Sequence, residues 1–205
     1  MSSDNAGIDA DQARSYSSIE RVAQDVRDAF GLKLREPIDF RKLFEFDLNE
    51  LSIQTATETI PVVSAVENIE QEAQAKWNPE QKRLELVLSE KSYNDLDQGR
   101  PRSRFAIAHE LGHIVMHSSK LIKLVSLDDQ AIAALYRGRK DHPRYRDTEW
   151  QANAFSAAFL APAKAIVLLK EKLKRMPSVE EIAAEFSVSF ECAAYRLDNL
   201  KKVSM

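Results

Sequence analysis

The chain has 205 residues, a formal net charge of −3, and 44% hydrophobic against 30% charged residues. That is enough apolar material for a core in one or two small domains, and the near-balanced charge offers no electrostatic footprint for nucleic acid. The single cysteine, Cys192, excludes an internal disulfide, and with no apolar leader at the N-terminus it points to a reducing cytoplasm.

Only five glycines in a highly charged chain suggest a helix-rich protein. Residues 1–15 are polar and are expected to form a disordered tail. Ser17-Ser18-Ile19-Glu20 reads as a capping box opening a helix, with Ile19, Val22, Val26 and Phe30 on one face and Gly31 at its end. Pro37-Ile38-Asp39 starts a short helix through Leu43 and Phe44. From Leu51 the apolar period changes to two. Residues 51–53, 61–63, 73–77 and 83–88 read as strands, the last two joined as a hairpin by the turn chemistry of Asn78-Pro79-Glu80-Gln81.

Gly99-Arg100-Pro101 punctuates the chain before a helix expected over 102–117. A charged loop with Lys140, His142, Arg144 and Arg146 follows, and Asp147-Thr148 caps a second buried helix that ends at Ala161-Pro162. The longest uncharged run, about 14 residues from Trp150 to Ala163, is too short to span a bilayer, so no membrane association is expected. Ser178-Val179-Glu180-Glu181 is another capping box, opening a helix to Phe186. After Ser187-Val188-Ser189, a final helix runs from Phe190 to Leu200.

The chemistry concentrates in His109-Glu110-Leu111-Gly112-His113, an H-E-x-x-H pattern within an apolar helical stretch. Residues four apart on a helix share a face at about 5–6 Å between Cβ atoms, so both imidazoles can reach one ion. Glu110 then lies one step round, beside the water that such an ion activates. Gly112 costs a helix about 1 kcal/mol relative to alanine, which predicts a close approach by another element or a substrate. A catalytic zinc takes three protein ligands, and the candidates for the third are His117, His142 and Glu149. His117 lies about 12 Å along the axis from His109, which weakens it as a ligand and gives it a supporting or helix-capping role. His142 sits in a basic loop, exposed or in contact with substrate. Glu149 opens the second buried helix, either as an acid favoured by the helix dipole or as a ligand, and the residues alone leave that open.

Arg104-Phe105-Ala106-Ile107-Ala108-His109-Glu110-Leu111-Gly112-His113, with His117 after it, is followed by an E-x-x-A-N-x-F-S run from Glu149 to Ser156 and by Leu160-Ala161-Pro162. Over residues 17–200 this resembles the ImmA/IrrE metallopeptidases. The departures are Ser156, where alanine is commoner, and Ala161, where methionine often stands. Both are small changes beside the motif. The resemblance implies His109, His113 and Glu149 as metal ligands and Glu110 as catalytic base. It also implies an α+β, zincin-like core: a small sheet, the H-E-x-x-H helix and the Glu-bearing helix, with a C-terminal helix-turn-helix-like pair. The expected organisation is a tail at 1–15, a metallopeptidase domain at 16–165 and a helical appendage at 166–205. Zinc is the expected metal, with manganese as a possible occupant. The implied substrate is a helix-turn-helix transcriptional repressor, cut so that its genes are released. The alternative is a metal-stabilised regulatory protein that binds a repressor or DNA without proteolysis. Given its length, the GAF-like sensor domain of that family's radiation-response branch is not expected here.

A groove-reading second helix should open on basic or amide side chains, whereas this one opens on Phe190, Glu191 and Cys192. Packing on the core or docking a partner is therefore expected in place of DNA binding, with Ile182, Phe186, Val188 and Leu197 facing inward. Tyr93, Tyr136, Tyr145 and His142 are candidate donors to the oxyanion.

Overall fold

The computed structural model describes residues 8–127 and 142–203. Helix α1 (Tyr16–Ala29) opens on Ser15, whose side chain accepts from the Ser18 N–H. It buries Ile19, Ala23 and Val26, and Gly31 follows at φ 63°, a left-handed conformation that costs glycine nothing. The capping box expected at Ser17 does not form. Glu20 is drawn instead to the buried Arg196, whose guanidinium needs a counter-charge.

Helix α2 (Phe40–Glu45) is capped by Asp39, and a 3-10 turn at Asp47–Glu50 leads into the sheet. Its strands are β1 (Ser52–Gln54), β2 (Thr59–Glu67), β3 (Ala73–Asn78) and β4 (Arg83–Ser89), in the order β1-β2-β4-β3. The β1–β2 and β3–β4 pairs are antiparallel and β2–β4 is parallel. The expected hairpin is thus β3–β4, with Asn78 Oδ1 accepting from the Gln81 N–H at 3.0 Å in its turn. Both faces of β4 are buried: Leu84, Leu86 and Leu88 on one, Glu85 and Val87 on the other. Glu85 tolerates this because Asn78 and Arg83 donate to it and Lys76 lies 3.4 Å away. β3 is left as an edge strand.

A short helix α3 (Glu90–Asp95) precedes α4 (Pro101–Val125), which carries the H-E-x-x-H pattern and starts on a proline. The expected end of this helix at residue 117 is not a stop. His117 leaves helical geometry at φ −128° and ψ 18°, and a further helical stretch continues to Val125. Helix α5 (Thr148–Leu160) is capped by Asp147, which accepts from the Trp150 N–H at 2.7 Å. Nearly every α5 residue is buried, as its all-round apolar sequence demands, and it packs against both α4 and α1. Helices α6 (Ala163–Leu173), α7 (Val179–Phe186) and α8 (Phe190–Asn199) complete the described chain. The Ser178–Glu181 capping box at the start of α7 is present in both directions. Among the described residues no single helix is long and apolar enough to cross a membrane.

The expected free tail at the N-terminus is not what the described residues form. Residues 8–15 are not a free tail, since Ile8 and Ala10 are buried and Asp9 bridges Asp147. Too few in number to register as a hydrophobic segment, these residues gain their burial from the surface laid down by residues 145–148. The C-terminal helices pack on the core: Ile182, Val188, Cys192 and Ala193 join the same buried cluster as Ile19, Leu86 and Phe155. Phe186 and Leu197 are half-buried against that cluster.

Candidate metal centre

Helices α4 and α5 cross at Gly112. A Cβ added there would lie 3.0 Å from Phe155 Cδ1 and 3.4 Å from Ala152 Cα, so the missing side chain is what lets the backbones approach. Ala152 is one turn from Glu149, and Gly112 lies between the two histidines. The close crossing therefore carries the α5 carboxylate into the space between the imidazoles.

There the three side chains converge. His109 Nε2 lies 3.0 Å from His113 Nε2, Glu149 Oε2 lies 3.2 Å from His109 Nε2, and Glu149 Oε1 lies 3.3 Å from His113 Nε2. A tetrahedral zinc with arms of about 2.0–2.1 Å has edges of about 3.3 Å, so these separations fit one ion. Two nitrogens and a carboxylate oxygen are also a suitable donor set for such an ion. Among the described residues these three form the group able to hold a metal. The flanking imidazoles of His109 and His113 are mostly buried, and Glu149 is about a third exposed.

Glu110 is not one of the three. Its Oε2 accepts from the Ala75 N–H of β3 at 2.7 Å, which fixes the carboxylate between the edge strand and the metal group. Burial pushes Glu110 up from the ordinary carboxylate range. Burial alone would do the same to Glu149, but hydrogen bonds to His109 and His113 outweigh it and hold Glu149 well below that range. For His109, burial acts to lower the imidazole. The Glu149 hydrogen bond and the charges of Glu110 and Glu149 more than offset it, and His109 is raised.

A second layer surrounds the donors. His109 Nδ1 is 3.2 Å from Asn153 Oδ1, and His113 Nδ1 is 3.2 Å from His117 Nδ1. His117 is buried, and its Nε2 is 2.9 Å from Gln151 Oε1. Burial and the neighbouring His113 push His117 down to about 3, so it is neutral at any physiological pH. His117 stands at the break in α4, outside the group of three. Gln151 carries no sequence signal beyond being a polar residue inside an otherwise apolar helix.

The candidate oxyanion donors fare differently. The Tyr93 hydroxyl is donated to Glu45 and its ring lies under Arg41, 4.3 Å from the guanidinium carbon. His142 Nε2 is 3.2 Å from Asp147 Oδ2, and Tyr145 is half-exposed. None of these three has a hydrogen bond to the metal group among the described residues, and Tyr136 and Lys140 lie outside them.

Comparison with protein families matches residues 93–198 to Peptidase_M78, the IrrE N-terminal-like domain. No curated protein matches the chain. The matched stretch begins in α3, takes in α4, α5 and the three converging side chains, and ends in α8. Covering more than half of the 205 residues, it makes the chain a member of the Peptidase_M78, IrrE N-terminal-like family of metallopeptidases.

Proposed function

We propose that this protein is a zinc-dependent endopeptidase acting in the cytoplasm, and that its substrate is a helix-turn-helix transcriptional repressor whose cleavage derepresses its genes. The observation that carries the catalytic part is the convergence of His109, His113 and Glu149 at tetrahedral-edge distances, with Glu110 adjacent but held elsewhere. The substrate class rests on the resemblance to the ImmA/IrrE metallopeptidases.

His109 Nε2, His113 Nε2 and the Glu149 carboxylate would hold the metal. Zinc suits this donor set best, and manganese is the alternative occupant. When bound, the metal polarises the scissile carbonyl and acidifies a water. Glu110 Oε2 stays on the Ala75 N–H, which leaves Oε1 to take the proton from the attacking water and pass it to the leaving amine. That role is worth about 10²–10⁴-fold. Burial displaces Glu110 upward from the ordinary carboxylate range, the direction in which a proton-transferring carboxylate is tuned. Among the described residues β3 is an edge strand of the sheet, and beyond the Ala75 N–H it offers backbone groups along which an extended peptide can lie beside Glu110.

Co-expression with a small helix-turn-helix repressor encoded beside this gene tests the reading. Wild type shortens the repressor and Glu110→Gln leaves it intact. A repressor of unchanged length with both proteins, despite a zinc-loaded wild type, would favour a regulator that binds without proteolysis.

A further inference from the structure

We infer that Gln151 and His117 are positioning residues: a relay anchored on backbone carbonyls that presents the Nε2 lone pair of His113 to the metal. The inference rests on the metal-ligand reading of His109, His113 and Glu149 given above.

The relay is fixed from its far end. Gln151 Nε2 lies 2.8 Å from the Gln12 carbonyl oxygen and 2.9 Å from the Tyr145 carbonyl oxygen. Both carbonyls can only accept, so the amide nitrogen must be the end that faces them, and the amide cannot be flipped without losing both bonds. Gln151 Oε1 therefore faces His117 Nε2 at 2.9 Å as an acceptor, and that nitrogen must carry the proton. A neutral imidazole has one donor and one acceptor, so His117 Nδ1 is left with a lone pair. It faces His113 Nδ1 at 3.2 Å, and His113 Nδ1 must then be the donor. The proton on Nδ1 leaves Nε2 bare, and Nε2 is the atom that faces His109 and Glu149. Each link dictates the next, from two backbone carbonyls to one metal-facing lone pair.

Burial makes the chain stringent. Gln151 is fully buried and His117 nearly so, and a flipped amide at Gln151 or the other tautomer at His117 would set donor against donor and acceptor against acceptor. The break in α4 falls at His117 itself, and its ring still meets that of His113 four residues before it. The anchor itself is tertiary. Gln12 lies in the N-terminal segment, which Ala10 N–H to Arg146 O at 2.6 Å, Arg14 N–H to Tyr145 O at 3.0 Å and Thr148 N–H to Ile8 O at 3.1 Å hold along residues 145–148. The N-terminal residues thus contribute to the metal centre without touching it.

Zinc affinity, measured by competition with a chromophoric chelator on the full chain, tests the relay alongside the ring 15N shifts of His113. Zinc-loaded wild type should show His113 protonated on Nδ1 and bound through Nε2. His117→Leu and Gln151→Leu should each weaken zinc about 10- to 100-fold, the range seen when such supporting partners are lost. His117→Asn, which can place its Oδ1 where Nδ1 stood, should recover most of the affinity while losing the bond to Gln151 as His117→Leu does. A structural role alone would make the Asn and Leu variants follow their stabilities, so urea unfolding of both is measured in parallel. Wild-type affinity in His117→Leu and Gln151→Leu, or His113 bound through Nδ1, would overturn the relay. Absence of zinc binding by wild type would instead refute the ligand set on which it rests.

Discussion

The Glu110 carboxylate accepts the Ala75 backbone N–H at 2.7 Å, joining the metal-bearing helix α4 to the edge strand β3. Short of proline at residue 75, no substitution in β3 removes that donor, so the carboxylate is the partner whose length can be varied. Glu110→Asp, one methylene shorter, cannot keep the Ala75 bond and also reach a water at the metal. Misplacing a catalytic group by about 1 Å costs about 10²-fold. Repressor cleavage by Glu110→Asp should therefore fall by about that factor with zinc content unchanged. Near-wild-type cleavage would show that the strand contact does not position the base.

The crossing at Gly112 makes a second prediction. Alanine there gains about 1 kcal/mol of helix propensity, but overpacking a closed core costs about 1–3 kcal/mol. The neighbour that would have to yield, Phe155, is fully buried and stacked on Phe159 with centroids 5.8 Å apart. Gly112→Ala should be modestly less stable than wild type in urea, and Gly112→Val clearly less stable and poorer in zinc. A Val variant with wild-type stability would mean that α4 and α5 can separate freely.

The C-terminal helices are tied to the core by a buried ion pair. Arg196, 1% exposed, donates to Glu20 at 2.8 Å and to the Ala161 carbonyl at 2.8 Å, while Glu20 also accepts the Ala163 N–H at 2.6 Å. Removing one partner strands the other charge, at a cost of about 3–5 kcal/mol. Glu20→Leu and Arg196→Met should each be destabilised by that order, and the double variant by much less than their sum. Simple additivity in urea unfolding would contradict the pairing.

Cys192 provides the pH test. Burial in α8 pushes its thiol from 9.0 up to about 11. A group raised on folding contributes stability that is fully present below its unfolded value and is lost as pH rises through its folded value. The Cys192 contribution should accordingly hold up to about pH 9 and disappear towards pH 11. At pH 8 the native thiolate fraction is about a hundredfold below the unfolded one, so iodoacetamide labelling should be slow until urea unfolds the chain. Equal labelling rates in the two states would show that Cys192 is not buried as described.

What the sequence discloses about this site divides by range. His109, Glu110 and His113 are legible because a single helical repeat brings them together, and no tertiary information is needed. The strands are legible because the period of two is local, as are the turn at Asn78–Gln81 and the cap at Ser178. Glu149 is 36 residues beyond His113, and only the A-N-x-F-S pattern after it sets it apart from an ordinary first-turn acid. Gln151 and Ala75 were illegible for a stronger reason. Their roles are set by where the backbones of residues 12, 145 and 110 come to lie, and no local pattern encodes that. The same holds for Glu20, whose capping-box spacing with Ser17 is real in sequence but loses to a buried guanidinium 176 residues away. Residues 8–15 look disordered by composition because a short segment buries Ile8 and Ala10 only on a surface built by the rest of the chain.

The most direct test of the account is zinc per chain, measured on purified wild type, Glu149→Gln and Glu110→Gln with each variant shown to be folded by circular dichroism. Three converging donors and a separately anchored base predict one zinc in wild type and in Glu110→Gln, and strong loss in Glu149→Gln. Full zinc in Glu149→Gln, or loss in Glu110→Gln equal to that in Glu149→Gln, would contradict it.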